Sequence, residues 1–256
     1  MSQAISDLEN EAFERFNVGH LQAALESANA CLQRGGETAR LQNLRGIVLN
    51  RLDLLQQSVA AYERALQLDP SLGIARCNLG FALKKAGDVE SALRCWQQLI
   101  ASDPGFTDPY VAVALVHMER HAFSDAERIL RRALTANDGS TDVLINLGFV
   151  LQLLGRLEEA ANYHRAAIAI DPSVPESHVN VGEILHQLGQ FGQAHRCFEE
   201  AARLAPDLAV AQYNLAQIRL LTGDFEQGWA LYESRFAWWK KKRGPTPELP
   251  WPSLER

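Results

Sequence analysis

A regular spacing of proline and aspartate landmarks constrains this 256-residue chain more than any other sequence feature. Consecutive landmarks lie 34 residues apart, and an aspartate precedes three of the four prolines. The landmarks are Pro70, Pro104, Asp138, Pro172 and Pro206. A fixed period of this length is typical of a helical solenoid, in which every repeat is a helix-turn-helix unit that stacks on its neighbours. We therefore expect an all-α fold.

The period divides residues 5–242 into seven units when Pro70 is taken as position 32 of its unit. Within a unit, the apolar periodicity predicts helix A over about the first 14 positions and helix B over about 14 positions after the turn. The units begin at Ile5, Ala39, Gly73, Thr107, Thr141, Pro175 and Ala209. Five units carry a glycine at the turn, position 15, whereas Asp53 and His121 stand there in the second and fourth units.

Small residues recur where the two helices of a unit must pass close together, at positions 8 and 20. Position 8 is Ala12, Gly46, Gly80, Ala114, Gly148, Gly182 and Ala216, and position 20 is Ala24, Ser58, Ala92, Ala126, Ala160, Ala194 and Gly228. Position 24 is large in the last six units, as Tyr62, Trp96, Leu130, His164, Phe198 and Tyr232. This pattern predicts about seven stacked repeats.

The ends of the array depart from the pattern. Residues 1–38 are predicted to be a degenerate capping repeat, with Asp7, Glu9, Glu11 and Glu14 on a solvated outer face. Five regular repeats should occupy residues 39–208, and residues 209–243 a last repeat with a long aromatic helix that includes Trp238 and Trp239. Residues 244–256 contain four prolines and are predicted to be an extended tail or linker.

Net charge, hydropathy and cysteine spacing argue against several classes of function. A net charge of −6 argues against a nucleic-acid partner, which would need a basic face. The sequence lacks an apolar run long enough for a membrane span and a recognisable signal peptide, so we expect a cytoplasmic protein without membrane insertion. The four cysteines, Cys31, Cys77, Cys95 and Cys197, lack metal-site spacing.

No common catalytic motif is present, so we expect a protein that is not an enzyme and uses no cofactor. His117 and His121 are four residues apart on one predicted helix, which could place both on a metal. A third ligand is not evident in the sequence, and we predict no metal site.

Together the small residues, turn glycines and Asp-Pro landmarks resemble the tetratricopeptide repeat family over nearly the whole chain. The resemblance implies a right-handed superhelix whose inner, concave wall is formed by the A helices. Positions 2, 5, 6, 9, 12 and 13 of helix A would then face a ligand in a groove.

Asparagine dominates position 6 of this implied wall, at Asn10, Asn78, Asn146, Asn180 and Asn214. A carboxamide both donates and accepts hydrogen bonds, so a row of them could pair with the backbone of an extended peptide. Alternatively, these side chains could form hydrogen bonds between neighbouring repeats. Both interpretations agree with the sequence.

The predicted peptide-binding groove joins these asparagines to apolar anchors and charged neighbours. Its members are Asn78, Asn146, Asn180, Asn214, Arg40, Asn43, Phe81, Lys84, Lys85, Phe149, Glu183 and Tyr213. Basic residues fall in the earlier repeats and acidic residues in the later ones, a distribution that could orient a ligand or simply be solvated surface charge.

Three functions are compatible with such a chain. The first is a protein-protein interaction scaffold that binds an extended peptide or partner helix in the groove. The alternative is the substrate-recruiting arm of a glycosyltransferase, because GDFEQGWALYESRF, which begins at Gly223, resembles the junction in bacterial proteins that join such repeats to a glycosyltransferase-like domain. That catalytic domain would then lie beyond this chain. The third is self-association as a homo-oligomer through the aromatic C-terminal cap.

Overall fold

The computed structural model describes residues 2–232, and every regular element in that range is a helix. The helices are α1 (Ser2–Asn17), α2 (Leu21–Gln33), α3 (Ala39–Arg51), α4 (Leu55–Leu68), α5 (Gly73–Lys85), α6 (Val89–Ser102), α7 (Asp108–Glu119), α8 (Phe123–Ala136), α9 (Thr141–Leu153), α10 (Leu157–Ile170), α11 (Pro175–Gln187), α12 (Phe191–Leu204) and α13 (Ala209–Leu221). A further helix, α14, is described over residues 225–232. Among the described helices, none combines the length and apolar character needed to cross a membrane.

The helices form two compact units, an N-terminal unit (Met1–Asp138) and a C-terminal unit (Gly139–Arg256). In the N-terminal unit, each A helix pairs with the B helix that follows it, as α1 does with α2 and α3 does with α4. The helices α2, α4 and α6 also contact the A helix that follows them, and α1, α3, α5 and α7 contact one another in sequence order. The C-terminal unit repeats this arrangement, with contacts from α9 to α11 and from α11 to α13. The A helices are therefore side-by-side neighbours within each unit.

The A-to-B turns share one backbone conformation whatever residue occupies position 15. Gly87 has φ of 93°, and the N–H of Asp88 donates to the Leu83 carbonyl at 2.9 Å. Such a left-handed residue with a hydrogen bond back to the last helical turn is the usual glycine stop of an α-helix. Asp53 and His121 adopt φ values of 63° and 58° and close the same turn. The two exceptions in sequence are thus regular in backbone.

At two of the three Asp-Pro landmarks, the aspartate side chain stabilises the loop after the B helix. Asp69 Oδ1 accepts hydrogen bonds from the backbone N–H of Ser71 at 2.9 Å and from its hydroxyl at 2.6 Å. Asp171 and Ser173 repeat both bonds, which also lower the pKa of the Asp171 carboxyl. A side chain that accepts from the backbone two residues later fixes a tight turn after the B helix.

The first repeat carries polar residues at its helix–helix seam. Arg15 Nη1 donates to the hydroxyl of Ser27 on α2 at 2.7 Å, and Nη2 donates to Glu11 Oε1 at 2.6 Å. The Ser27 hydroxyl also lies 3.4 Å from Glu11 Oε2. Glu11 therefore faces α2 instead of lying wholly on the outer surface that we predicted for it. The predicted cap residues Trp238 and Trp239, and all of residues 244–256, lie outside the described range.

The closest approach between helices A and B lies at positions 8 and 24. A Cβ added to Gly182 would lie 2.5 Å from Cε1 of Phe198, because the ring packs directly against the glycine backbone. Real Cβ atoms do not tolerate such distances, so alanine would displace the ring. The same contact pairs Gly46 with Tyr62, Gly80 with Trp96, and Gly148 with His164. In the fourth repeat, Ala114 at position 8 accompanies the aliphatic Leu130 at position 24.

His164 is the exception among these rings because its polar atoms are buried without partners. The side chain is 0% exposed, and within the described residues neither ring nitrogen has a hydrogen-bond partner. By contrast, the Trp96 Nε1–H in the equivalent place donates to the Cys77 carbonyl at 3.2 Å. Burial lowers the pKa of His164 to about 4, so the fold holds the neutral imidazole.

We expect His164→Phe to stabilise the protein and to reduce its loss of stability in acid. The unfolded chain protonates near the ordinary histidine pKa, whereas the folded chain resists protonation down to about pH 4. In the wild type, the free energy of unfolding contributed by this group therefore falls by roughly 2–3 kcal/mol as pH drops from 7 to 4. Phenylalanine cannot be protonated, so the variant lacks this pH-dependent loss of stability, and it also lacks the two unpaired ring nitrogens. The contact of Phe198 with Gly182 shows that a phenylalanine ring fits over a glycine.

Urea unfolding at several pH values between 7 and 4 measures this difference. The remaining titratable groups are common to both proteins, so subtraction isolates His164. Curves for the wild type and the variant that stay parallel over this range would show that His164 is not held neutral.

Candidate functional site

The predicted site residues lie on the A helices and form two separate surfaces. We call the exposed face of α1, α3, α5 and α7 the N-terminal wall, and that of α9, α11 and α13 the C-terminal wall. The N-terminal wall carries Arg40, Asn43, Asn78, Phe81, Lys84 and Lys85. The C-terminal wall carries Asn146, Phe149, Asn180, Glu183, Tyr213 and Asn214. Each surface results from the contacts between successive A helices within its own unit.

Large apolar side chains project from position 9 of both walls. Phe81 on α5 is 42% exposed, Leu115 on α7 is 37% exposed, and Phe149 on α9 is 43% exposed. Phe81 is held in place by an edge-to-face contact with Trp96, with ring centroids 5.2 Å apart. Leu115 was not among the predicted site residues, although its position in the repeat is the same as that of the two phenylalanines.

Two of the four predicted asparagines form hydrogen bonds between neighbouring A helices. Asn78 Nδ2 donates to Asn43 Oδ1 at 3.1 Å, and Asn214 Nδ2 donates to Glu183 Oε1 at 3.0 Å. In these two cases the asparagine at position 6 forms a hydrogen bond between neighbouring repeats, as in the second interpretation of the sequence. Asn146 differs, because its Nδ2 donates to a carbonyl of its own helix, that of Asp142, at 2.8 Å.

The lysines of the N-terminal wall are also paired with neighbouring repeats. Lys84 Nζ lies 2.6 Å from Glu119 Oε1, and Lys85 Nζ lies 2.8 Å from Asp53 Oδ1. Exposed ion pairs of this kind each contribute only about 0–1 kcal/mol to stability. They nevertheless compensate the positive charges of the two lysines, with which an acidic ligand would have to pair.

Two arginines of the same wall pack on aromatic rings of α1. The guanidinium carbon of Arg40 lies 4.3 Å from the centre of the Phe13 ring, and that of Arg51 lies 4.8 Å from the centre of the Phe16 ring. Such cation–π contacts stabilise the stacking of α3 on α1. All four of these basic residues, Arg40, Arg51, Lys84 and Lys85, therefore have interaction partners within the N-terminal unit.

Tyr213 on α13 belongs to an aromatic group at the end of the described chain. Its ring stacks on Tyr232 of α14 with centroids 5.9 Å apart, and its hydroxyl accepts a hydrogen bond from Gln217 Nε2 at 3.0 Å. The side chain remains 36% exposed. These contacts fix the orientation of the ring toward the surface.

The described part of the chain shows neither an activated cysteine thiol nor a metal-binding cluster. Burial raises the pKa of the Cys77 thiol to about 12, and it also raises the pKa values of Cys31, Cys95 and Cys197. A thiol with a raised pKa is a poor nucleophile at neutral pH. Within residues 2–232, no three His, Cys, Asp or Glu side chains group closely enough to hold a metal ion.

Comparison with known proteins identifies the repeat. Three family models, each described as a tetratricopeptide repeat, match residues 140–207, residues 11–72 and 182–235, and residues 76–105. No curated protein matches the sequence. The matches and the paired helices confirm the predicted fold class, an all-α solenoid of about seven helix-turn-helix repeats.

Solved structures share the fold at low sequence identity. A tetratricopeptide repeat protein from Parabacteroides merdae is 17% identical, with a TM-score of 0.67 over 92% of this chain and 93% of that chain. The pilF protein of Pseudomonas aeruginosa is 15% identical, with a TM-score of 0.67 over 81% and 93% of the two chains. YrrB, a protein of the same repeat class described as having an unusual peptide-binding site, is 21% identical, with a TM-score of 0.51 over 73% and 96%.

The hydrogen bond between Asn78 and Asn43 predicts a difference between two asparagines at the same repeat position. Asn78→Ala should lower the free energy of unfolding by about 0.5–1.5 kcal/mol, because it removes a bond between neighbouring helices. Asn146→Ala is the matched control and should change stability by less than about 0.5 kcal/mol, since its bond stays within α9 and alanine favours a helix. Denaturant unfolding of both variants tests this, and equal losses would contradict the inter-repeat role.

Proposed function

Because the chain belongs to the tetratricopeptide repeat family, whose fold is in general that of a protein-interaction scaffold, we propose that its A-helix walls bind peptide segments or partner helices. A ligand lies across successive A helices of one wall, so that each repeat of that wall contributes a short stretch of the surface. A match to the fold alone does not specify a ligand, and the proposal depends on the side chains of the walls.

The exposed apolar residues at position 9 carry this proposal. Phe81 and Leu115 are adjacent in repeat order on the N-terminal wall, and Phe149 occupies the same place on the C-terminal wall. Large side chains that remain about two-fifths exposed lose further contact with water when a ligand covers them, and interfaces concentrate their binding energy in a few such anchors. A ligand with apolar side chains at matching intervals suits these surfaces best.

Asparagines supply the polar part of the proposed recognition. A carboxamide has two N–H donors and a carbonyl oxygen with two lone pairs, so the bonds of Asn78 and Asn146 each use only one donor. The remaining capacity is suited to the backbone of a ligand and is independent of the ligand's sequence. Glu183 and Asn214 are bonded to each other and act together as one polar element of the C-terminal wall.

The chemistry of the walls favours an apolar or amphipathic ligand over a strongly acidic one. Lys84, Lys85, Arg40 and Arg51 all have partners within the N-terminal unit, so an acidic ligand would have to displace Glu119 or Asp53, or disrupt the ring contacts. The net charge of −6 further disfavours nucleic acid as a partner. A non-enzymatic role in the cytoplasm is part of the same proposal.

Selection of peptides from a random phage-displayed library on the intact chain tests the proposal. Enriched peptides should carry apolar residues, and their affinity should fall at least tenfold for the triple variant Phe81→Ala/Leu115→Ala/Phe149→Ala. The physical reason is that each truncated anchor removes about 1 kcal/mol or more of binding free energy. Fluorescence anisotropy with labelled peptides measures the affinities.

The matched control truncates three side chains of similar exposure that lie away from the walls, as Leu54→Ala/Leu68→Ala/Ile170→Ala. This variant should bind the peptides within about twofold of the wild type. Peptides that bind the wall variant as well as the wild type, or that lose affinity equally for both triple variants, would exclude the walls as the binding surface.

A further inference from the structure

An aromatic surface at the last described repeat has no role in the wall proposal apart from Tyr213. We call Tyr213, Trp229 and Tyr232 the aromatic platform. Tyr232 stacks on Tyr213 at an interplanar angle of 29°, and Trp229 meets Tyr232 edge to face with centroids 5.6 Å apart and an angle of 87°. Stacked and edge-to-face contacts of this kind are favourable ring geometries, so they hold the three rings together as one aromatic surface.

The platform is less buried than the position-24 side chains of earlier repeats. The residues at position 24 in repeats two to six are all buried. Within each unit, the A helix of the next repeat packs over the preceding B helix. In the last described repeat, Tyr232 at position 24 is only partly buried. On the same helix, Trp229 is 54% exposed and Phe225 is 62% exposed. Clustered apolar surface of this kind is unusual in a monomer and marks an interaction site.

The sequence that follows α14 has the chemistry of a ligand for such a surface. Residues 244–256 read GPTPELPWPSLER, with prolines at 245, 247, 250 and 252 and a tryptophan at 251. Proline-rich segments prefer the polyproline II conformation, and they bind aromatic-lined grooves at a low entropic cost because that conformation is already formed. Hydroxyl and amide groups beside the rings, such as Tyr213 OH and Gln217, can pair with the exposed backbone carbonyls of such a segment.

We propose that the proline-rich segment 244–256 binds the aromatic platform of its own chain. The twelve residues 233–244 join the platform to Pro245. They span about 18 Å if helical and about 40 Å if fully extended, so the segment reaches the platform in either case. A short tether also gives the segment an effective concentration on the order of millimolar, which makes a contact of modest intrinsic affinity sufficient.

The test uses a variant of the 256-residue chain in which the segment is disabled, Pro245→Ser/Pro247→Ser/Pro250→Ser/Pro252→Ser. Isothermal titration calorimetry with the synthetic peptide GPTPELPWPSLER should detect binding to this variant and at least tenfold weaker binding to the unmodified chain, whose own segment competes. Adding Trp229→Ala to the variant should weaken peptide binding at least tenfold. Phe191→Ala, which truncates a comparably exposed ring in the same unit, should change it less than twofold.

A second peptide has serine in place of all four prolines and should not bind the segment-disabled variant. Because both peptides are compared on the same protein, the result does not depend on how a further protein variant folds. Absence of binding to the segment-disabled variant, equal binding to the unmodified chain, or equal binding of the two peptides would overturn the proposal. Light scattering of the unmodified chain that gives the mass of a dimer, lost in the segment-disabled variant, would show that a second copy supplies the segment and would overturn binding within one chain. Trp229 lies outside the A-helix walls, so these outcomes leave the wall proposal untouched.

Discussion

The close approach of helices A and B, where a ring at position 24 packs against the backbone at position 8, is the contact on which the rest of the structure depends. Gly46, Gly80, Gly148 and Gly182 all lie under such a ring, at distances that leave no space for a Cβ. The contact sets the spacing of the two helices in a repeat, and the ring is in turn covered by the next repeat. Stacking on both sides of each ring brings successive A helices together. The walls that we propose as binding surfaces therefore follow from the glycine–ring pairs.

The polar residues of the walls have a divided role. Lys84 and Lys85 form ion pairs with neighbouring repeats, which reinforces the stack and leaves their charges compensated by the protein. Asn78 also bridges neighbouring repeats, but it uses only one of its donors to do so. The apolar side chains at position 9 cannot form hydrogen bonds or ion pairs with neighbouring repeats, and they remain partly exposed on the same surfaces. The recognition that we propose therefore depends on apolar anchors, with carboxamides contributing secondary bonds to the ligand backbone.

The sequence predicted the repeat boundaries because they depend on local chemistry that recurs every 34 residues, namely the turn residue, the Asp-Pro loop and the small residue at position 8. It also predicted from their position in helix A that Phe81 and Phe149 lie on an exposed face, and both side chains do; their role as anchors stays a prediction. The partners of Asn78, Lys84 and Asn214 could not be predicted, because they depend on side-chain conformations of residues 31–35 positions away in a neighbouring repeat. Asp53 and His121 replace the turn glycine, yet the backbone bonds of the turn enforce the left-handed conformation on them.

A double-mutant cycle on the sixth repeat tests the glycine–ring contact most directly. Gly182→Ala introduces a methyl group where Phe198 Cε1 would lie 2.5 Å away, and should destabilise the protein by about 1–3 kcal/mol despite the higher helix propensity of alanine. In a Phe198→Leu background, which resembles the natural Ala114 and Leu130 pair, the same substitution should cost at least about 1 kcal/mol less. Helix propensity cancels in the comparison because it is equal in both backgrounds. Urea unfolding that gives additive effects within about 0.3 kcal/mol would contradict the account, since the ring and the glycine would then be energetically independent.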